Sequence, residues 1–107
     1  MVAKYVLVYV GGGMPATEEE TAAVMKAWKD WYTSLGEAVV DPGNPFSPQV
    51  KSVTYDGSVN DGPVGPKATG YTILAADSLD VAVGMAKNCP VLQGGASISV
   101  YETFAVM

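Results

Sequence analysis

A chain of 107 residues holds one domain around one core, with no room for a separate binding module. At 49% hydrophobic and 16% charged it is a folded chain, poorly supplied with charge for its outer surface, and not a disordered one. Six lysines, no arginine and eleven acidic residues leave a net charge of -5 and no guanidinium forks, which excludes nucleic acid and anionic membrane surfaces as expected partners.

The apolar run that opens the chain, within MVAKYVLVYVGGG, is too short to span a membrane and lacks a small-residue cleavage site. A cytoplasmic protein is expected. Lys4 to Val10 is β-branched and aromatic and reads as a strand that stops at Gly11, Gly12 and Gly13. Thr17-Glu18-Glu19-Glu20 is a capping box with three acids in the first turn, so a helix starts there. Val24, Trp28, Trp31 and Leu35 recur at spacings of four, three and four, which stacks them on one side of that helix, and Gly36 ends it.

Glu37 to Val40 reads as a short strand, and DPGNPFSP, Asp41 to Pro48, as a loop or lid. Gln49 to Thr54 is the next expected strand, with Tyr55-Asp56-Gly57 as its turn. The Asn, Asp, Gly and Pro residues from Asn60 to Pro66 argue against regular structure. Gly70 to Ala76 has the composition of a central strand. Asp77 or Ser78 then caps a second helix with Leu79, Ala82, Val83 and Ala86 on its buried side, Pro90 stops it, and Ser97 to Ala105 forms the last strand.

This order is close to two βαβ halves with an extra hairpin between them. The economical fold is α+β: a ferredoxin-like plait with an antiparallel-dominated sheet and two helices on one face, all of 1–107 being one domain. In the first strand Val6, Val8 and Val10 point one way while Tyr5, Leu7 and Tyr9 point the other, and neither set is polar. Two helices cover one side only. The remaining, aromatic face is expected to meet the same face of a second copy, giving a homodimer by sheet-to-sheet packing; the alternative is that the loop from Asp41 to Pro48 folds over it.

The stretches DPGNPF, DGPV and GYTILAADSLDVAVGMAKNCPVL, together with Trp28-x-x-Trp31, Leu35-Gly36, Asp61-Gly62-Pro63, Gly70-Tyr71, Asp77-Ser78-Leu79 and Cys89-Pro90, resemble the YCII-related family, and within it the DGPF-type branch, over nearly the whole chain. The resemblance implies a dimeric α+β barrel of two ferredoxin-like protomers with a cleft on each side. Some members of the wider superfamily are lyases, isomerases, dehalogenating enzymes or monooxygenases acting on small organic molecules. The better-understood relatives use a His paired with an Asp, whereas the corresponding region here reads Trp28-Lys29-Asp30-Trp31 and the chain has no His, so that mechanism does not carry over.

Without imidazole, proton transfer near neutral pH falls to a carboxylate raised by burial, a Cys, a Lys lowered by burial or a terminus. Asp41, with Asn44 beside it, lies in the irregular loop, where it either builds a turn or meets a ligand; Asp61 in Asp61-Gly62-Pro63 has the same two readings. Glu102 shares parity with the apolar Ile98 and Val100, so an unbulged strand buries it with a raised pKa, while a bulge or edge position sends it to solvent. Tyr5, Tyr9, Tyr71 and Tyr101 either line a shared cleft or pack the dimer, and Trp28 either joins the pocket or belongs to the core with Trp31. Cys89, beside Pro90 at a helix C-terminus, reads as an inert thiol, and the glycine run lacks nucleotide-binding spacing. No cofactor and no metal are expected. The reading that follows is a dimeric protein binding a small organic molecule; the alternatives are a cofactor-free lyase or isomerase acting on a small organic acid, an aromatic one included, and a structural or regulatory partner.

Overall fold

Alternation of apolar side chains builds the frame. In the computed structural model, which describes residues 2–13 and 15–106, strand β1 runs from Ala3 to Gly11 and helix α1 from Glu18 to Leu35. Met14 and the two ends of the expected domain, Met1 and Met107, lie outside the described residues. Then come β2 (Val39–Asp41), β3 (Lys51–Val53), β4 (Val59–Asp61), β5 (Ala68–Ala76), α2 (Leu79–Ala86) and β6 (Ala96–Glu102). Four strands form one sheet in the order β2-β5-β1-β6, every neighbouring pair antiparallel, and β3 pairs with β4 as a separate ribbon. The fold is α+β.

Helix α1 begins as the capping box dictates. Thr17 Oγ1 accepts from the Glu20 amide at 3.0 Å, and the Glu20 carboxylate reaches back to the Ala16 amide at 2.9 Å. Gly36, at φ +57°, closes it. Ser78, not Asp77, caps α2, its hydroxyl accepting from the Val81 amide.

Both helices lie on one face of the sheet. Leu7, Tyr9 and Leu74 pack with Trp31 of α1 and Ala86 of α2, while Tyr5 and Ala76 pack with Ala82. The Trp31 indole N–H, donating to the Met85 carbonyl at 3.1 Å, ties the helices together. Only the second half of α1 is covered: Glu18 to Lys26 are all exposed, Val24 and Met25 among them.

The structure corrects the expected choice of face. The helices cover Tyr5, Leu7 and Tyr9, and the open face is the valine one, Val6, Val8 and Val10 with Tyr71, Ile73 and Ala75 of β5 and Ser97, Ser99 and Tyr101 of β6. Both sets of β1 side chains are apolar, but the buried tyrosines have partners for their hydroxyls on the helix side: Thr72 for Tyr9 and Glu102 for Tyr5.

Several element boundaries also differ from expectation: β3 is only Lys51–Val53 where Gln49 to Thr54 is expected, and β5 begins at Ala68 rather than Gly70. A single 3-10 turn, Gly36–Ala38, precedes β2 where a strand from Glu37 is expected. Asn60 and Asp61 sit in β4, opposite Ser52 and Lys51, because the turn before them supplies the order that their composition lacks. The last strand stops at Glu102, and one further bond, from the Thr103 amide to the Lys4 carbonyl, marks where β1 runs out.

The segment after β2 does not cross the open face. It runs along the free edge of β5: Pro45 bridges Gly70, and the Phe46 amide donates to the Thr69 carbonyl at 2.9 Å. Gly43, at φ +75°, lies so close to β5 that a Cβ there would stand 1.8 Å from the Tyr71 carbonyl oxygen. The edge is thereby paired, and Phe46 stacks on Tyr71 of the open face.

The molecule is a slab of 43 × 42 × 17 Å with a radius of gyration of 15.3 Å, against roughly 13 Å for a typical domain of this length. Its surface of 7604 Å² exceeds by about 1,900 Å² the roughly 5,700 Å² usual for a monomer of 11.1 kDa. Among the described residues no helix is long and apolar enough to cross a membrane.

Candidate functional site

The nine candidate residues fall into four places. On the helix side, Tyr9 and Trp28 belong to an aromatic cluster with Trp31 and Tyr32. Trp28 meets Tyr9 edge-on at 5.7 Å between centroids and Trp31 at 5.6 Å. The Tyr9 ring is buried and its hydroxyl lies inside a polar chain. Cys89 Sγ donates to it at 3.7 Å, it donates to Thr72 Oγ1 at 2.6 Å, and Thr72 donates to the Pro42 carbonyl at 3.0 Å, which also accepts from Tyr32. Burial pushes both the Tyr9 phenol and the Cys89 thiol up from their ordinary pKa, so each keeps its proton. This chain holds the start of the loop against the core; it is satisfied and closed.

At the sheet's rim, the ring of Tyr5 is buried and its hydroxyl donates to Glu102 Oε1 at 2.7 Å. That bond, first among the causes, raises the phenol above its usual range. Glu102 keeps the expected parity, opposite Tyr5, yet it is exposed because it ends an edge strand. On the hairpin, Asp61 forms an exposed ion pair with Lys51 at 3.0 Å.

On the open face the structure brings two candidates together. The Tyr71 hydroxyl donates to Asp41 Oδ2 at 3.2 Å, while Asp41 Oδ1 accepts from the Gly43 amide at 2.8 Å. Asp41 therefore closes an Asx-turn and faces a phenol at the same time. Phe46 stacks beside Tyr71, with centroids 5.7 Å apart and planes at 24°. Asn44 is exposed in the same loop, its carbonyl against Gly70. Tyr101 is exposed on the same face but beyond β1, paired across from Val6, so the four tyrosines do not share one cleft.

Beside this aromatic shelf, between the loop and the base of the hairpin, lies a cleft of about 370 Å³. Phe46, Val50 and Val64 give it apolar walls, and Gln49 and Lys67 give it polar heads. A flat apolar body with one anionic group is the chemistry it suits: ring faces for the body, an ammonium for the charge. A more open hollow of about 430 Å³ at the start of α1 includes Thr17, whose hydroxyl already serves the helix cap. Among the described residues no three His, Cys, Asp or Glu side chains cluster closely enough to hold a metal ion.

No family model and no curated protein matches the chain.

Phe46, Lys67 and Thr72 were not among the candidates. Phe46, the one aromatic residue in DPGNPFSP, and Thr72, a hydroxyl at a parity otherwise held by Leu74 and Ala76, both carry a signal in the sequence. Lys67 carries none, since its place in the cleft depends on the hairpin's path.

Proposed function

We propose that the chain works as a homodimer that binds a small organic molecule, an acid by preference, at the Phe46–Tyr71 shelf. In this reading two ferredoxin-like plaits pack sheet to sheet as a dimeric α+β barrel of the YCII-related, DGPF type. The strand order β2-β5-β1-β6, with both helices on one face, is the order such a plait requires. The observation that carries the reading is the open valine face: Val6, Val8, Tyr71 and Ile73 stand together on the side away from both helices, only partly buried, on a chain whose surface is about a third larger than a monomer of its mass needs.

Covering that face with its own copy removes apolar surface from water at about 25 cal/mol per Å². A few hundred Å² are then worth several kcal/mol, comparable with the net stability of a small domain. Asp41, Tyr71 and Phe46 end up at the margin of the packed sheets, where a cleft between subunits has one wall from the shelf.

The second reading is a cofactor-free lyase or isomerase, and the Asp41–Tyr71 pair is what favours it. In that case Asp41 accepts a proton from the ligand and the Tyr71 hydroxyl holds the other carboxylate oxygen. Both oxygens of Asp41 are already engaged, by Tyr71 and by the Gly43 amide, which supports binding over proton transfer.

The test is a ligand-detected NMR screen of small aromatic and aliphatic carboxylic acids against the wild type and Phe46→Ala. Saturation transfer to aromatic acids that disappears in the variant, with amide shifts at Lys67 and Tyr71, is the expected result. An absence of transfer from any acid at millimolar concentration overturns the proposal.

A further inference from the structure

The β3–β4 hairpin contains no residue of the core, yet it is well built. Its turn is fixed by Asp56, whose Oδ1 accepts from the Thr54 hydroxyl at 2.6 Å and the Ser58 amide at 3.0 Å, and by the backbone bond from Thr54 to Ser58 at 2.8 Å. With Lys51 opposite Asp61 and Val53 opposite Val59, those four side chains share one face of the ribbon; Ser52 and Asn60 take the other. The first face is apolar at its outer end and bare: Val53 is 67% exposed, Val59 63%, and Tyr55 stands fully in solvent at the tip. An isolated two-stranded ribbon is marginal in water, so one with a bare apolar face is expected to rest on something.

We infer that this hairpin is an arm that lays its Val53–Val59 face on a second copy of the chain; the inference rests on the dimer proposed above. The area argues for that occupant. A stable interface takes about 800 Å² from each partner, whereas the chain exposes about 1,900 Å² beyond a monomer's share. The sheet face alone does not account for the surplus, since Val6, Val8 and Ile73 are partly buried by their neighbours. On the hairpin three large apolar side chains, Val53, Tyr55 and Val59, stand unburied close together. In a two-fold dimer the arm contact occurs twice, once for each arm, and an arm pre-formed by its turn loses little entropy on docking.

Two measurements on the full chain test the arm. The first is hydrogen exchange of residues 51–61 at protein concentrations on either side of the monomer–dimer transition, followed by mass spectrometry. These amides gain protection as the mass doubles if the arm docks, and exchange equally at both concentrations if it does not, which overturns the inference. The second is sedimentation of the double variant Val53→Ser/Val59→Ser, whose exposed sites leave the core intact. Its dimer dissociation constant rises by about tenfold or more if the arm contributes. An unchanged constant, with the wild type dimeric, overturns the arm and leaves the sheet-to-sheet dimer standing; a wild type that is monomeric throughout overturns both.

Discussion

Thr72→Val removes one hydroxyl and keeps the shape of a side chain that is wholly buried. In the wild type that oxygen accepts from Tyr9 at 2.6 Å and donates to the Pro42 carbonyl at 3.0 Å. Pro42 keeps its bond from Tyr32, so the carbonyl is not orphaned; the Tyr9 hydroxyl loses its acceptor in a site closed to water. An unsatisfied buried donor costs about 1–3 kcal/mol, and for a domain of this size each kcal/mol lowers Tm by roughly 4–8 °C. Tyr9→Phe alone removes the bond to Thr72 and the long, weak one from the Cys89 thiol without leaving the Thr72 donor unpaired, and is expected to cost about 1 kcal/mol. The double variant then costs no more than Thr72→Val, since the phenol that lacked a partner is gone, giving a coupling of about 1 kcal/mol or more. Urea unfolding of the four proteins at one fixed protein concentration reads this directly. Additive losses would show that Tyr9 and Thr72 do not act as one chain and refute the reasoning.

Gly43→Ala is expected to cost more than about 2 kcal/mol, because the backbone is left-handed and the new Cβ would stand 1.8 Å from the Tyr71 carbonyl; Gly65→Ala, also at positive φ but in open space, costs only about 1 kcal/mol, and equal losses in chemical unfolding would contradict this. Asp56 is held down to a pKa of about 2, first by the Thr54 hydroxyl and then by the Ser58 amide. Its folded pKa lies below its unfolded one, so its contribution to the turn is present above pH 4 and lost as pH falls toward 2. NMR titration should show the Ser58 amide shift following that midpoint, and a midpoint near 4 would dismiss the turn's role. Thr17→Ala removes the cap of α1 at a cost of about 1 kcal/mol. Because Glu18 to Lys26 are all exposed and take no part in the core, the loss should appear as fraying of those amides in hydrogen exchange, not as a lower global stability.

Local chemistry was readable wherever a few neighbouring residues decide the outcome. The Thr17 box, Gly36 and the alternation of Tyr5 to Val10 place α1 and β1 within a residue or two. The covered side of β1 was not readable, because both sides are apolar. What decides it are the hydroxyl partners of Tyr9 and Tyr5, 63 and 97 residues away along the chain. The Asp41–Tyr71 contact is hidden for the same reason, being 30 residues apart. β4 escaped because its order comes from the Asp56 turn and not from β propensity, and Asn60 and Asp61 by themselves argue for a loop. Parity puts Glu102 on the right face, but its exposure depends on its place at the end of an edge strand, which pairing alone reveals.

Sedimentation equilibrium of the wild type beside Val8→Glu, a charge set in the middle of the open face, bears most directly on the proposed dimer. The account requires about 22 kDa for the wild type at micromolar concentration, twice the 11.1 kDa chain, and a folded 11.1 kDa monomer for the variant. A wild type that sediments as a single chain, or a Val8→Glu protein that stays double, would contradict it.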